Sequence, residues 1–494
     1  MLSIRRKARA TLPRIKAAAS ADDADQKRFR MTNSPTPPYE PRNVQGMILR
    51  GYTHRYSCHM LFTFADRKGA TDFIRALLPY VQSAEAWSNK PERMLNIGLT
   101  FDGVLTFEPG FKSQFPTEFE AGPWSADSQQ SLHDTGPSDP KVWWNATKQA
   151  VHCIVHVYGL TAEALGSLVT TVSQAAGTNR VSEILPLKPE RGQSGRLEEY
   201  APLENYIHFG YKDGIDNPGL AWPADPAVPT NPVKSDPGDA NNFLVGYPGS
   251  TFQPGPETGR AGRFAKDGCY NAFRVLYQDV RAFDQFLADT APMVVAAIGG
   301  SEDHAREWLA AKLVGRWRNG SPLVLSPDAP DQATSDKTDF LYKRDDGNAL
   351  RCPFSAHSRV SNPRDETMLP TGTPVPRLIR RGVPYGAPPV PPDYDGERGL
   401  IGIFLCGALA AQFEKLYSWI NVNDFSNAYS PGFNTQDALL ANRGAAGDRS
   451  FTIAMPIGNP IRILSLPQFI VTRGTAYCLL PSMETLRGIA GLLE

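Results

Sequence analysis

Apolar positions along the chain recur with two different periods, and the switch between them sets out its elements. Cys58 to Phe64 and Val151 to Val157 are short, β-rich and strand-like, and each precedes a stretch with helical spacing, Ala70 to Val81 and Ala162 to Ala176. The same order returns in the second half. Cys269 to Tyr277 reads as a strand before a helix from Val280 to Leu287, and Leu400 to Leu405 as a strand before a helix from Ala408 to Ile420. Val44 to Gly51 opens a further strand-like segment. No stretch of sequence repeats, but the order of elements does, which is the grammar of two ferredoxin-like α+β units. Residues 217–264 are dense in proline and glycine and predict a long irregular crossing. The opening residues carry Arg5, Arg6, Lys7 and Arg9, then Ala17 to Ala19, then prolines from Pro35 to Pro41, with little to bury, so they predict a mobile extension. The expected organisation is an extension over 1–42, a first unit over 43–216, the crossing over 217–264 and a second unit over 265–494.

Composition narrows the function classes. The 494 residues exceed the usual size of one hydrophobic core and suggest two domains. With 41% hydrophobic and 21% charged residues, the chain is an ordinary globular one. Lys+Arg and Asp+Glu are equal at 51 each, so the basic excess of a nucleic-acid binder is missing and small molecules are the expected partners. The longest apolar runs, such as Met293 to Ile298, are far too short to cross a membrane. The six cysteines are scattered without a Cys-x-x-Cys pair, which predicts core packing in a reducing compartment rather than a disulfide framework or zinc knuckle. Arg5-Arg6 suggests twin-arginine export, but Arg14 and Lys16 interrupt the only place for an apolar signal core, so a cytoplasmic location is expected. The arginine-rich opening also fits an organellar transit peptide in a eukaryotic host.

Three segments carry candidate chemistry. Arg351-Cys-Pro-Phe-Ser-Ala-His357-Ser-Arg-Val-Ser-Asn-Pro-Arg364 sets one histidine in an apolar, proline-fenced stretch between arginines, as an iron porphyrin needs: an imidazole ligand, apolar cover and cations for its propionates. A lone histidine is ordinarily structural, so the segment counts only in company. Phe209-Gly-Tyr-Lys-Asp213-Gly214-Ile-Asp-Asn-Pro-Gly219 presents an acid on a turn, with Asp216 as the more natural turn residue and Asp213 left free. Pro376-Arg-Leu-Ile-Arg380-Arg381-Gly-Val-Pro-Tyr-Gly386 reads as a strand ending in a turn, whose alternation points Arg380 and Arg381 to opposite faces. Histidine, aspartate and arginine together are the minimum set for cleaving a peroxide on haem. Other histidines compete with His357, and spacing does not choose among them. His152 and His156 share a strand face by period alone, with no third ligand nearby for zinc, and His54 and His59 near a strand start are expected at the surface.

In these motifs the chain resembles the dye-decolorizing peroxidases, whose Gly-x-x-Asp-Gly hallmark stands here as Gly210-Tyr-Lys-Asp213-Gly214. Asn96-Ile-Gly-Leu-Thr-Phe101, Phe115-Pro-Thr-Glu-Phe119, Ala311-Lys-Leu-Val-Gly-Arg-Trp317, Arg351 to His357 and Arg380 to Gly386 also resemble family segments and occur in the family's order. The resemblance runs from about Asn43 to the C-terminus and implies an α+β fold of two ferredoxin-like domains, of the dimeric α+β barrel type, with haem b between them and mainly in the C-terminal half. It implies that His357 is the proximal iron ligand, that Asp213 and Arg380 are the catalytic distal pair, and that Arg364 meets a haem propionate. Phe404 is a candidate for the distal pocket wall, with a core aromatic as the equal alternative, and the resemblance offers Asp437 as the carboxylate behind His357, although Ala438 replaces the family's proline. The activity implied is oxidation of dyes, phenols and other aromatic donors by hydrogen peroxide through a ferryl intermediate. Bulky donors are then oxidised partly at surface tyrosines or tryptophans; Trp222 and Tyr385 lie near the functional segments, but core packing is the role expected of any single aromatic. The alternative is a haem-binding or haem-trafficking protein with little turnover, which has no need of a distal acid and cation. A homo-oligomer is compatible with the chain.

Overall fold

The computed structural model describes residues 37–493, apart from 145–149, 188–194, 199–204, 223–239, 250–251, 369–371, 390, 392–393, 424–433 and 443–448. The expected extension over 1–42 thus falls almost wholly outside the described residues, as does the centre of the 217–264 crossing.

The strands are β1 (Tyr56–Phe64), β2 (Arg93–Leu99), β3 (Cys153–Gly159), β4 (Val181–Ile184), β5 (Leu197–Glu198), β6 (Cys269–Gln278), β7 (Ile379–Arg380), β8 (Val383–Tyr385), β9 (Gly399–Cys406), β10 (Phe451–Ile453), β11 (Ile461–Ile463) and β12 (Ile470–Leu480). One antiparallel sheet runs β4-β1-β3-β2-β12-β6-β9-β7, with β5 beside β1 and β8 beside β9; β10 and β11 form a separate hairpin. Counted within each half, the strands lie in the order fourth, first, third, second both times: β4-β1-β3-β2, then β12-β6-β9-β7. The recurring order of elements therefore reflects a duplicated ferredoxin-like topology, and the halves meet where Leu99 on β2 faces Leu479 on β12.

The helices start where side chains satisfy their first free N–H groups. Asp66 accepts from the Gly69 amide at the head of α1 (Arg67–Leu77), and Thr161 from the Ala164 amide at the head of α2 (Ala162–Thr178). Pro79 tightens the end of α1 into a 3₁₀ turn over Leu78–Tyr80. In the second half α3 (Val280–Ile298) runs through Pro292, well beyond Leu287, and is followed by α4 (Glu302–Val314), α5 (His357–Ser361) and α6 (Lys415–Val422). The helix expected from Ala408 begins as a π-helical turn over Leu409–Glu414 before it becomes α6. On β1, Cys58, Met60, Phe62 and Phe64 pack with Phe73, Ile74 and Leu168 of α1 and α2, while Leu61 enters the core on the opposite face.

Two expectations are corrected. Gly46–Leu49 is a buried turn of helix rather than strand. The Gln45 side chain accepts from the Ile97 amide and donates to the Ile97 and Pro481 carbonyls, and Gly46 N donates to Gln82 O, so the segment docks on β2 instead of pairing along it. A Cβ at Gly46 would lie 2.7 Å from Ser83 O, and so the approach needs glycine. His54 and His59 are buried, not at the surface. His59 faces His156 directly across β1 and β3, with their Nδ1 atoms 2.9 Å apart, and the Phe273 ring packs against both imidazoles, so the pair lies in the interior. His152 is engaged elsewhere, accepting from Phe64 N at 2.9 Å.

Burial of the His59 and His156 pair gives the fold an acid dependence. Burial pushes His59 down to about 3, and burial together with the neighbouring His59 pushes His156 well down, so both stay neutral in the fold. The unfolded chain takes up their protons near 6.5. Stability from this source is therefore full above 6.5 and falls as pH drops below it, by about 1.4 kcal/mol per pH unit for each histidine. Denaturant midpoints should fall between pH 7 and pH 5, and less steeply in a His59→Leu/His156→Leu double variant. Identical slopes in the two proteins would refute the assignment.

Candidate active site

His357 opens α5, following a turn closed by Ala356 N donating to Pro353 O and tied to the next segment by Ala438 N donating to Ser355 O. Its Nδ1 lies 2.7 Å from Asp437 Oδ2. Asp437 is fully buried, and its Oδ1 accepts from the amides of Leu439 and Leu440 at 2.9 and 2.8 Å, which fixes the carboxylate and leaves Oδ2 for the imidazole. A carboxylate only accepts, so Nδ1 carries the proton and the Nε2 lone pair points away. Among the described residues none hydrogen-bonds Nε2, and the side chain keeps 30% of its surface exposed. Burial alone would lower the imidazole pKa, but the Asp437 charge and hydrogen bond raise it above the ordinary value, with Arg380 opposing and Asp213 assisting.

The helix bearing His357 is anchored from below. Arg359, fully buried two residues on, donates through Nε to Glu366 at 3.0 Å and through Nη1 to Cys352 O at 2.8 Å, and lies 4.3 Å from the Phe354 ring. Glu366 is fully buried with it, and burial, partly offset by Arg359, raises its carboxyl pKa.

Asp213 sits on a turn made possible by two glycines in the left-handed region, Gly210 at φ +81° and Gly214 at φ +76°. Its Oδ1 accepts from Gly214 N at 2.7 Å and lies 3.9 Å from Arg380 Nη1, with more than a third of the side chain exposed. Arg380, on β7, is held by its amide donating to Asn217 Oδ1 at 2.9 Å and by Nη2 donating to Asp216 O at 2.8 Å. Arg381 turns to the other face and donates to Met47 O at 3.0 Å. Phe404 on β9 is the direct cross-strand partner of Arg380. Its ring lies over Gly402, where a Cβ would come within 2.3 Å of it, and packs 5.5 Å from Phe413.

The reading of the 209–219 turn is corrected. Asp213 carries the turn hydrogen bond, whereas Asp216 is no turn former: its Oδ1 lies 3.1 Å from Arg377 Nη2, and its Oδ2 lies 3.1 Å from Arg364 Nη2 and 2.8 Å from Asn362 Nδ2. Burial works against that carboxylate, but Arg377, Arg364, Asn362 and Arg380 together hold its pKa below the usual range. Arg364 also donates to Thr338 O at 2.6 Å and stacks 4.1 Å over Phe340, while its Nε is buried with no hydrogen-bond partner. Arg377, Asn217 and Glu366 were not singled out in the sequence; the nearest signal was a third arginine in the Pro376 to Arg381 run. Trp222 packs against Tyr39 and Tyr247, and Tyr385 is buried with its hydroxyl donating to Glu397 at 3.1 Å.

The structure thus brings His357 and Asp437 into one group and Asp213, Arg380 and Phe404 into another, with Arg364 at the edge of both. The donor set fits an iron porphyrin: an imidazole nitrogen left open and backed by a carboxylate, an aromatic wall, and a buried guanidinium nitrogen in want of an acceptor. Among the described residues no cluster of three or more His, Cys, Asp or Glu offers a metal site of its own, and all six cysteines are buried and free. No helix among them is long and apolar enough to cross a membrane.

Comparison with known proteins agrees. The chain is 27% identical over 478 residues to peroxidase 2 of Mycetinis scorodonius, covering 90% of this chain and 86% of that one. It is 31% identical over 297 residues to the dye-decolorizing peroxidase of Exidia glandulosa, covering 57% and 55%. An ancestral D-type dye-decolorizing peroxidase of known structure superposes with a TM-score of 0.74 at 25% identity, covering 91% of this chain and 99% of that one. No family model matches the chain. In sequence and in fold alike, the chain is similar to the dye-decolorizing peroxidases.

The hydrogen bond behind His357 is open to test. Asp437→Asn keeps the shape but removes the charge, and haem affinity should fall about 10- to 100-fold with His357 intact. Haem titration of the apoprotein measures it, and an unchanged affinity would detach Asp437 from the site.

Proposed function

We propose that the chain is a haem-dependent peroxidase that uses hydrogen peroxide to oxidise dyes, phenols and other aromatic donors, with haem b as its cofactor. The observation carrying this reading is the pair of arrangements that the fold builds: His357 held through Nδ1 by the buried Asp437 at 2.7 Å, and Asp213 set 3.9 Å from an Arg380 fixed by Asn217 and the Asp216 carbonyl. His357 would hold the iron through Nε2, and Arg364 would meet a propionate. When bound, haem supplies a centre that takes two electrons' worth of oxidation from peroxide and returns it to donors one electron at a time.

The chain's own residues do the rest. Asp213 accepts a proton from one peroxide oxygen and delivers it to the other, so that water leaves. Arg380, fixed by Asn217 and the Asp216 carbonyl, stabilises the negative charge that grows as the O–O bond breaks. Phe404 narrows the space beside Arg380 and excludes water and bulky donors from the reacting oxygens. Asp437 holds the His357 ring in one tautomer and orientation. A haem carrier would need neither Asp213 nor Arg380, which favours the enzyme.

The absorption spectrum of the haem-reconstituted protein, followed by peroxide-dependent bleaching of an anthraquinone dye, tests the reading. A Soret band with dye oxidation is expected. A Soret band without peroxide-dependent oxidation would favour the carrier, and no Soret band would end both.

A further inference from the structure

The carboxylate of Asp216 lies between two guanidiniums drawn from distant parts of the chain, Arg364 just past the His357 helix and Arg377 just before β7, each 3.1 Å away and each on a different oxygen. Asn362 completes the set at 2.8 Å, and Arg380 donates to the Asp216 backbone carbonyl rather than to its side chain. Three guanidiniums thus gather around Asp216, and with Asp213 3.9 Å from Arg380 the group keeps an excess of one positive charge.

Arg364 is held in a costly conformation. Its φ of +62° is left-handed, a region a long side chain seldom adopts without a functional reason, and its Nε is buried with no partner. Asp216 and Arg377 keep about a fifth of their side-chain surface exposed, 22% and 21%, so an incoming anion has access to the pair. Without the acid, the like charges of Arg364, Arg377 and Arg380 would face one another in a partly desolvated site. An acid is therefore needed before any ligand arrives, and Arg364 and Arg377, each on its own oxygen of Asp216, offer one cation to each of the two carboxylates of a tetrapyrrole.

We propose that Asp216 is a built-in competitor for the porphyrin carboxylates: it occupies Arg364 and Arg377 in the unloaded chain and yields them to the two propionates on loading. The inference rests on the haem reading above. It adds Arg377 to the cofactor-binding residues and makes the site selective for tetrapyrroles that carry free carboxylates, because an esterified porphyrin cannot displace Asp216.

The apoprotein is titrated with haem and with its dimethyl ester, following the Soret band and tryptophan quenching. Asp216→Asn should bind haem about tenfold more tightly and Arg377→Gln about tenfold more weakly, with ester binding unchanged in both. These opposite shifts, confined to the free-acid porphyrin, are not what general loosening of the fold produces. Asp216→Asn binding haem no more tightly than the parent overturns the proposal. If that variant fails to fold, Arg377→Gln, which leaves Asp216 paired with Arg364, decides alone: unchanged haem affinity overturns it. Failure of the parent apoprotein to bind haem through His357 would overturn the haem reading instead, so the two failures are distinguishable.

Discussion

Replacing His357 with alanine should leave a folded chain that no longer retains haem. The residue opens α5 with part of its side chain exposed, and the helix is anchored independently by Arg359 on Glu366 and on the Cys352 carbonyl. The substitution therefore removes the proposed ligand without removing its platform. Haem occupancy, read from the Soret-to-protein absorbance ratio after reconstitution, should collapse, and dye oxidation should go with it. Exogenous imidazole should restore part of the Soret band, because the Asp437 acceptor remains in place, held by the Leu439 and Leu440 amides. Full occupancy and normal turnover in His357→Ala would refute the ligand assignment.

The second large effect is expected on the other side of the pocket. On the proposed mechanism, Arg380→Leu removes the cation facing the breaking O–O bond, and Asp213→Asn removes the proton acceptor. Either should slow the reaction with hydrogen peroxide by about 10²- to 10³-fold while haem remains bound. Stopped-flow absorbance after mixing with peroxide separates this step from donor oxidation. Arg380 also fastens the 213–217 turn through the Asp216 carbonyl and Asn217, so its loss should perturb Asp213 as well. The double variant should then be less than additive. If neither single change slows the peroxide step, the distal assignment is wrong.

The strands and helices that pack locally were legible because period and burial agree: β1, β3, β6 and β9 were all visible as apolar runs, and each lies inside the sheet. Less legible was whatever depends on a remote partner. His59 was expected at the surface because nothing near it in sequence announces His156, which stands opposite it on β3. Gly46–Leu49 has the apolar character of a strand and becomes a helical turn only because Gln45 is bound to β2 and Pro481. In the site, residue type and turn chemistry brought forward the segments that hold His357, Asp213 and the Arg380-Arg381 pair, while the choice of His357 over the other histidines and of Arg380 over Arg381, like Asp437, Arg364 and Phe404, rested on resemblance. Asp216 was misread because an aspartate before Asn-Pro is ordinarily a turn former. Its true environment is set by Arg364 and Arg377, more than a hundred residues away in the chain.

The position of β12 in the sheet carries a consequence for biosynthesis. Ile470–Leu480 is the last strand of the sheet to be translated, yet it lies at the centre, between β2 and β6. While the ribosome is still at work, the first half already has its four strands but leaves β2 as a bare edge, and the second half lacks the strand that flanks β6. A nascent chain stalled before residue 470 therefore exposes two unpaired edges, those of β2 and β6, to neighbouring chains. Truncations or stalls before Ile470 should aggregate rather than yield a half-active enzyme.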